Sequence, residues 1–370
     1  MEKKYDVAAY VWPAYTGDEP RTRIFWPEGY GEWETVKEAT ARYEGHLWPR
    51  KPLWGYVNEA DPYVMEMQIE AAVDHGVNVF IYDWYWYDNR PFLEQCLNNG
   101  FLKAKNRSKM KFYLMWANHN VGYGWDRRIS QANCEIDIWK GGVSSEQFHT
   151  IAERWFNQYF CLPEYYLIDN KPVLSIYDLQ NLIDGLGGLD MAAKEMQWLD
   201  EQAKKRGFAG MHYQLVKYGT VAANRSGFDR DEHIYRPDEL MDILPFSSLT
   251  HYQYVHFADM NRKYSEIMKD VESEWKEIEE KFSIPFFPHV SIGWDNTPRY
   301  STHTDNVVKD NPPEEFKKAL IKAKELADKN GVNLITINSW NEWTETSYLE
   351  PDNVNGYGYL EAIKDVFLEK

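Results

Sequence analysis

Eight stretches of the chain read as strands, at about 5–12, 77–84, 111–117, 172–177, 209–216, 246–253, 286–292 and 333–340, and all but the sixth are apolar and rich in β-branched or aromatic residues. Helical patterns lie between them. Asp61-Pro62 supplies an N-cap and a first-turn proline for a helix running to about His75, where Gly76 stops it. Pro312-Pro313-Glu314 opens another, with Phe316, Leu320, Ala323 and Ala327 on one face and Asn330-Gly331 at its end. Further helices are expected at about 90–99, 145–159, 189–206, 258–281 and 359–369, whereas 218–242 shows no clear period. Strand and helix alternating eight times predicts an α/β chain, a (β/α)8 TIM barrel with long strand-to-helix loops, in which residues 1–370 form one catalytic domain.

The connections differ in length. Helix-to-strand links are short turns such as Asp74-His75-Gly76-Val77 and Lys329-Asn330-Gly331-Val332, but strand-to-helix links are long, at about 13–61, 118–144, 217–242, 293–311 and 341–354. In a barrel all the long links open on the one face where active sites are built. The 16 tryptophans, apart from Trp155, Trp198 and Trp275, fall in these links or at strand ends. Indole faces stack on the C–H faces of sugar rings, and the alternative is that they cement long loops onto the barrel, the role expected of Trp26, Trp33, Trp48 and Trp54.

The last strand leads into the densest chemistry. If residues 333–340 are extended, Leu334, Thr336, Asn338, Trp340 and, should the strand continue, Glu342 share one face while Ile335 and Ile337 take the other. Glu345 would face away unless the chain turns after the strand and brings it alongside Glu342. Two carboxylates beside indoles equip a site for glycoside chemistry, and the alternative is a capping glutamate plus a surface one. Trp294-Asp295-Asn296 follows the seventh strand and Asn118-His119 the third, so both reach the same mouth with groups suited to diols. Arg299 lies within reach to orient a carboxylate. His119 and His251 stand at strand ends, open between substrate contact and a structural role, as Glu350 is between contact and loop tie.

Composition narrows the partners. A formal charge of −17 disfavours nucleic acid and anionic membrane surfaces and suits a neutral saccharide. No apolar run approaches a membrane span, so the chain as written reads as soluble and cytoplasmic, or periplasmic or secreted if a leader has been removed. Cys96, Cys134 and Cys161 form no CxxC pair and are expected to be reduced. Ten histidines without ligand spacing predict no metal, and no cofactor is expected. GxSxG, HExxH, Walker A and post-strand GxGxxG motifs are absent. Asp229-Arg230-Asp231 is a DxD, a transferase signature that three residues match easily by chance.

Trp340-Asn341-Glu342-Trp343-Thr344-Glu345 with Leu349-Glu350-Pro351-Asp352 resembles the catalytic stretch of glycoside hydrolase family 99, and more closely the WbsX-type domain labelled a glycosyltransferase in polysaccharide gene clusters. Blocks around Gly293-Trp294-Asp295-Asn296-Thr297-Pro298-Arg299, Met115-Trp116-Ala117-Asn118, Asn170 to Tyr177 and Phe80 to Trp86 resemble that domain in its order, over nearly the whole chain. Two departures stand out: Tyr10 to Tyr15 matches the first strand only loosely, and Asp83 takes a position held by histidine in many relatives. The resemblance implies a retaining hydrolase of an α-mannosidic or related linkage, with Glu342 as base and Glu345 as acid/base. It further implies that the substrate's own 2-hydroxyl attacks the anomeric carbon. With the spacing argument, the candidate substrate contacts are Trp12, Asp83, Trp84, Trp86, Trp116, Asn118, His119, Tyr177, His251, Trp294, Asp295, Asn296, Arg299, Asn338, Trp340, Asn341, Trp343 and Glu350. The rival readings are a glycosyltransferase of polysaccharide biosynthesis and a sugar-binding protein without chemistry. The oligomeric state is left open.

Overall fold

A computed structural model describes residues 5–128, 136–217, 240–300 and 306–368. Eight parallel strands form the barrel: β1 (Asp6–Val11), β2 (Val79–Tyr87), β3 (Lys111–Trp116), β4 (Lys171–Ile176), β5 (His212–Val216), β6 (Phe246–Thr250), β7 (His289–Ser291) and β8 (Leu334–Asn338). Their order is β6-β5-β4-β3-β2-β1-β8-β7, and a parallel bridge from Leu249 to Phe286 closes the ring between β6 and the approach to β7. β1 sits between β8, with Asp6 opposite Leu334, and β2, with Ala8 opposite Val79. The barrel is the fold that the strand spacing predicts.

The helices follow their signals where these are strong. The first long one, α1 (Pro62–Asp74), is capped by the Asp61 carboxylate, which accepts from the Tyr63 amide at 2.9 Å. The helix before β8 (Pro313–Asn330) ends on Gly331 at φ +67°, a left-handed cap that costs glycine little. Others cover Ser145–Trp155, Leu189–Lys205, Tyr264–Lys281 and Gly358–Phe367. A helix at Leu179–Leu186 was not expected.

The second unit departs from expectation, with no α-helix at 90–99. Instead β2 runs on to Tyr87, turns through Asp88 and Asn89 at φ 58° and 60°, and returns as the antiparallel strand Arg90–Phe92 before two helical turns at Cys96–Gly100 and Phe101–Lys103. Asp and Asn tolerate that left-handed pair, which makes a two-residue hairpin turn. Most of 218–242, with the Asp229-Arg230-Asp231 motif, lies outside the described residues, as does Cys134.

Candidate active site

At the C-terminal mouth, β8 ends at Asn338, and a two-residue strand, Asn341–Glu342, pairs antiparallel with Ser347–Tyr348. One helical turn, Trp343–Glu345, joins the two. That turn puts both carboxylates on one guanidinium: Arg299 donates from Nη1 to Glu345 Oε1 at 2.5 Å and from Nη2 to Glu342 Oε1 at 3.2 Å. Its Nε donates to Glu32 Oε1 at 3.1 Å, and Glu32 Oε2 accepts from the Trp12 indole at 2.5 Å. Three buried carboxylates thus share one cation.

The two carboxylates meet different surroundings. Glu342 accepts from the Tyr252 hydroxyl at 2.7 Å as well as from Arg299, and its backbone amide donates to Ser339 Oγ at 2.7 Å. Glu345 Oε2 is buried with no hydrogen-bond partner among the described residues. Burial, and then the charges of Glu342 and Glu32, raise the ionisation of Glu345 well above the usual carboxylate range, with Arg299 opposing them. Arg299 is held firmly cationic: burial works against its charge, but Glu32, Glu345 and Glu342 outweigh it.

Around this pair stand Asp83, whose Oδ2 accepts from Tyr252 at 3.0 Å, and the rings of Tyr177, His119, Trp125 and Tyr85. Asp295 is pinned by the His46 ring at 2.7 Å and the Thr297 amide at 3.0 Å; these hold its ionisation below the usual range although burial pushes the other way. Its own amide donates to the Glu345 carbonyl at 2.7 Å, tying the loop after β7 to the Trp343–Glu345 turn. Trp294 is half-buried beside it, with its indole N–H unpartnered among the described residues.

With this geometry in view, comparisons place the chain among known proteins. The family model described as glycosyltransferase WbsX matches residues 7–363. The chain belongs to the WbsX family. Two proteins from strains of Xanthomonas campestris pv. campestris, each described as uncharacterized protein WxcX, are 25% identical over 352 residues, which cover 93% of this chain and 47% of theirs. This WbsX-family chain therefore spans about half the length of the curated relatives it matches. Among solved structures, the GH99 endo-alpha-mannosidase of Bacteroides thetaiotaomicron shares the fold at TM-score 0.60 and 14% identity, covering 98% of this chain and 96% of that one. A glycoside hydrolase-like protein does so at TM-score 0.61 and 14% identity, covering 99% and 94%.

Of the expected contacts, Trp12, Asp83, His119, Tyr177, Asp295 and Arg299 are joined to Glu342 or Glu345 through the contacts above, while Trp294 and Asn296 lie in the loop after β7 and Asn338 ends β8, where its Oδ1 accepts from Gln253. Others are not so joined. Trp84 stacks on Trp86 and meets Trp155 edge-on while donating to Glu94 at 2.8 Å, and Trp116 packs on Phe148 and Trp155, all behind the barrel wall. Trp340 was expected on the face of Thr336 and Glu342. The strand ends two residues earlier, and its ring lies against Phe80 and Trp54 on the outer side. His251 is fully buried against Phe257 and Phe286, 3.5 Å from Glu274. Asn118 staples the loop after β3 to the backbone of Asp178.

Asn341, Trp343 and Glu350 form the support behind the turn. The Asn341 amide bridges the backbone of Trp12 and the carboxylate of Glu59, and the Trp343 indole donates to Glu350 Oε2 at 2.6 Å. Gln68 joins Glu59 and Glu350 from α1. Burial pushes Glu59 up to about 7 against hydrogen bonds from Asn341 and Gln68, and burial with the Glu59 charge raises Glu350 as well. Sequence reasoning passed over Glu32, Glu59, Gln68 and Tyr252, which stand in no motif.

Arg299 is the electrostatic keystone. Arg299→Met would strand three carboxylates, and the loss of stability in chemical denaturation is expected to be about 3–5 kcal/mol, the usual cost of unpairing a buried charge. A stability equal to wild type would contradict the charge-sharing arrangement.

Proposed function

We propose that this chain is a retaining glycoside hydrolase that cleaves an α-mannosidic or related linkage in a polysaccharide, as expected from its resemblance to glycoside hydrolase family 99. The observation that carries the reading is the division of labour around Arg299. Glu342, held by two donors, suits a base, whereas Glu345, whose ionisation burial and like charge raise and whose Oε2 is unpartnered among the described residues, suits an acid. Glu342 and Glu345 are three residues apart and share Arg299, which supports both lying on the same side of the sugar, an arrangement that does not readily place either behind the anomeric carbon as a direct nucleophile would be. The substrate's 2-hydroxyl fills that role. Glu342 takes its proton, O2 attacks C1, and the bond to the leaving oxygen breaks as Glu345 protonates that oxygen. Water then attacks C1, Glu345 takes the water proton, and O2 recovers its proton from Glu342 as the anhydro ring opens. Two inversions give net retention.

The acid role has a pH signature. Glu345 works protonated and its ionisation is raised, so activity is retained as pH rises past the ordinary glutamate value of 4.5 and is lost only on passing the higher one. The basic limb of kcat/KM should lie well above 4.5; a limb at the ordinary value would exclude Glu345 as the acid.

The family description favours a second reading, transfer from an activated sugar donor. The described residues hold no group of three or more His, Cys, Asp or Glu arranged for a metal ion. Digestion of a glycan library, read by mass spectrometry after exhaustive chelation, should yield cleaved products without any nucleotide sugar. Activity that appears only with Mn²⁺ or Mg²⁺ and a nucleotide sugar would establish the transferase instead.

A further inference from the structure

We infer that Glu59 and Glu350 hold one proton between them and act together as positioning residues for Glu342, gripping the chain on both sides of it from behind. That Glu342 works as a base rests on the hydrolytic reading above, but the shared proton does not.

Both carboxyls are buried, Glu59 in the link after β1 and Glu350 beyond the hairpin that follows β8. Gln68 Nε2 donates to Oε1 of each, at 3.1 Å to Glu59 and 2.6 Å to Glu350, which sets the two groups side by side. They also hydrogen-bond each other. Ionised carboxylates only accept, so a bond between the two requires a proton on one of them. Nothing nearby would let both ionise. Glu342, Glu345 and Glu32 share the Arg299 cation, whereas no arginine, lysine or histidine among the described residues pairs with Glu59 or Glu350. Their other partners are the neutral donors Asn341 and Trp343, and Cys96 Sγ, 3.8 Å from Glu59 Oε2. The phenols of Tyr15 and Tyr82 face Glu59 as well, and burial first, with nearby charge behind it, raises the ionisation of both phenols and of the Cys96 thiol. Two adjacent buried acids without a cation keep a proton rather than both ionise.

The pair reaches Glu342 through the residues on either side of it. Asn341 Nδ2 donates to Glu59 Oε1 and Oε2 at 3.1 and 2.9 Å, while the same amide group clips both the N–H and the carbonyl of Trp12. The Trp343 indole donates to Glu350 Oε2 at 2.6 Å. With the proton in place Glu59 and Glu350 are one unit, so both grips keep their spacing and Glu342 keeps its place on Arg299 and Tyr252. A second negative charge would drive the carboxyls apart, and with them the two anchors of Glu342.

Infrared difference spectra of wild type against the Glu59→Gln/Glu350→Gln double variant at neutral pH count the protons without substrate. One protonated-carboxyl band and one carboxylate band are expected to vanish; loss of two carboxylates, or of two protonated carboxyls, would overturn the proposal. Glu59→Gln alone should lose the protonated band, and it serves if the double variant does not fold. Kinetics test the positioning role. Glu59→Ala removes the acceptor of Asn341 and the partner of Glu350, so kcat should fall about 10²-fold, the scale of an ångström of misplacement, with KM little changed. Glu59→Gln should recover part of that loss, because its carbonyl accepts from Asn341 and its amide donates to Glu350 in place of the shared proton. An unchanged kcat in Glu59→Ala, or no recovery in Glu59→Gln, would refute the grip on Glu342. Failure of wild type to hydrolyse any glycan would sink the hydrolytic reading and leave the spectral test to decide the shared proton.

Discussion

Glu342→Gln and Glu345→Gln are each expected to lower turnover by at least about 10²-fold, the minimum typical of a lost proton-transfer partner. Both amides keep the size of the side chain and its contact with Arg299 through the carbonyl oxygen, so the barrel should fold and oligosaccharide should still bind. The two variants should differ in one respect. A substrate with an acidic leaving group departs without a proton, so Glu345→Gln should recover bond cleavage on it, whereas Glu342→Gln should fail on both kinds of substrate. Steady-state kinetics on a natural linkage and on an activated aryl glycoside read this directly. Near-wild-type hydrolysis by both variants would remove the two carboxylates from the reaction.

The second large effect concerns the substrate. If O2 is the nucleophile, a 2-deoxy or 2-fluoro glycoside lacks the attacking atom and should be bound but essentially uncleaved. The loss should exceed that of one sugar hydrogen bond, because what is removed is the reaction path and not only a contact worth about 0.5–1.5 kcal/mol. Competition binding alongside turnover separates the two. Brisk cleavage of the 2-deoxy substrate would exclude participation by O2.

The barrel was legible because its signals are local and redundant. Each strand but the sixth carries its own apolar run, and α1 carries both a capping Asp61 and Pro62. Alternation along β8 correctly placed Thr336, which reaches Thr250 and His289 inside the barrel. Extended past Asn338, the same rule put Trp340 on the wrong side, since a period of two holds only while the strand lasts. The tryptophans divide by the parity of their strand: on β2, Asp83 and Tyr85 turn to the mouth and Trp84 and Trp86 turn to the helices.

The polar groups that sequence reasoning missed share a different origin. Glu32 and Glu59 lie in the long first link, hundreds of residues from Arg299 and Asn341, and nothing local distinguishes them from surface glutamates. Only the closed barrel brings them to those partners. The same holds for Tyr252, which acquires its importance from Asp83 on β2 and Glu342 in the hairpin after β8.

Proton NMR of the first product, taken before mutarotation and without any nucleotide sugar, tests the whole scheme at once. The scheme predicts a new reducing end in the α configuration, retained from the substrate. A β product at early time would contradict participation by O2, and no reducing end at all until a nucleotide sugar is supplied would contradict hydrolysis itself.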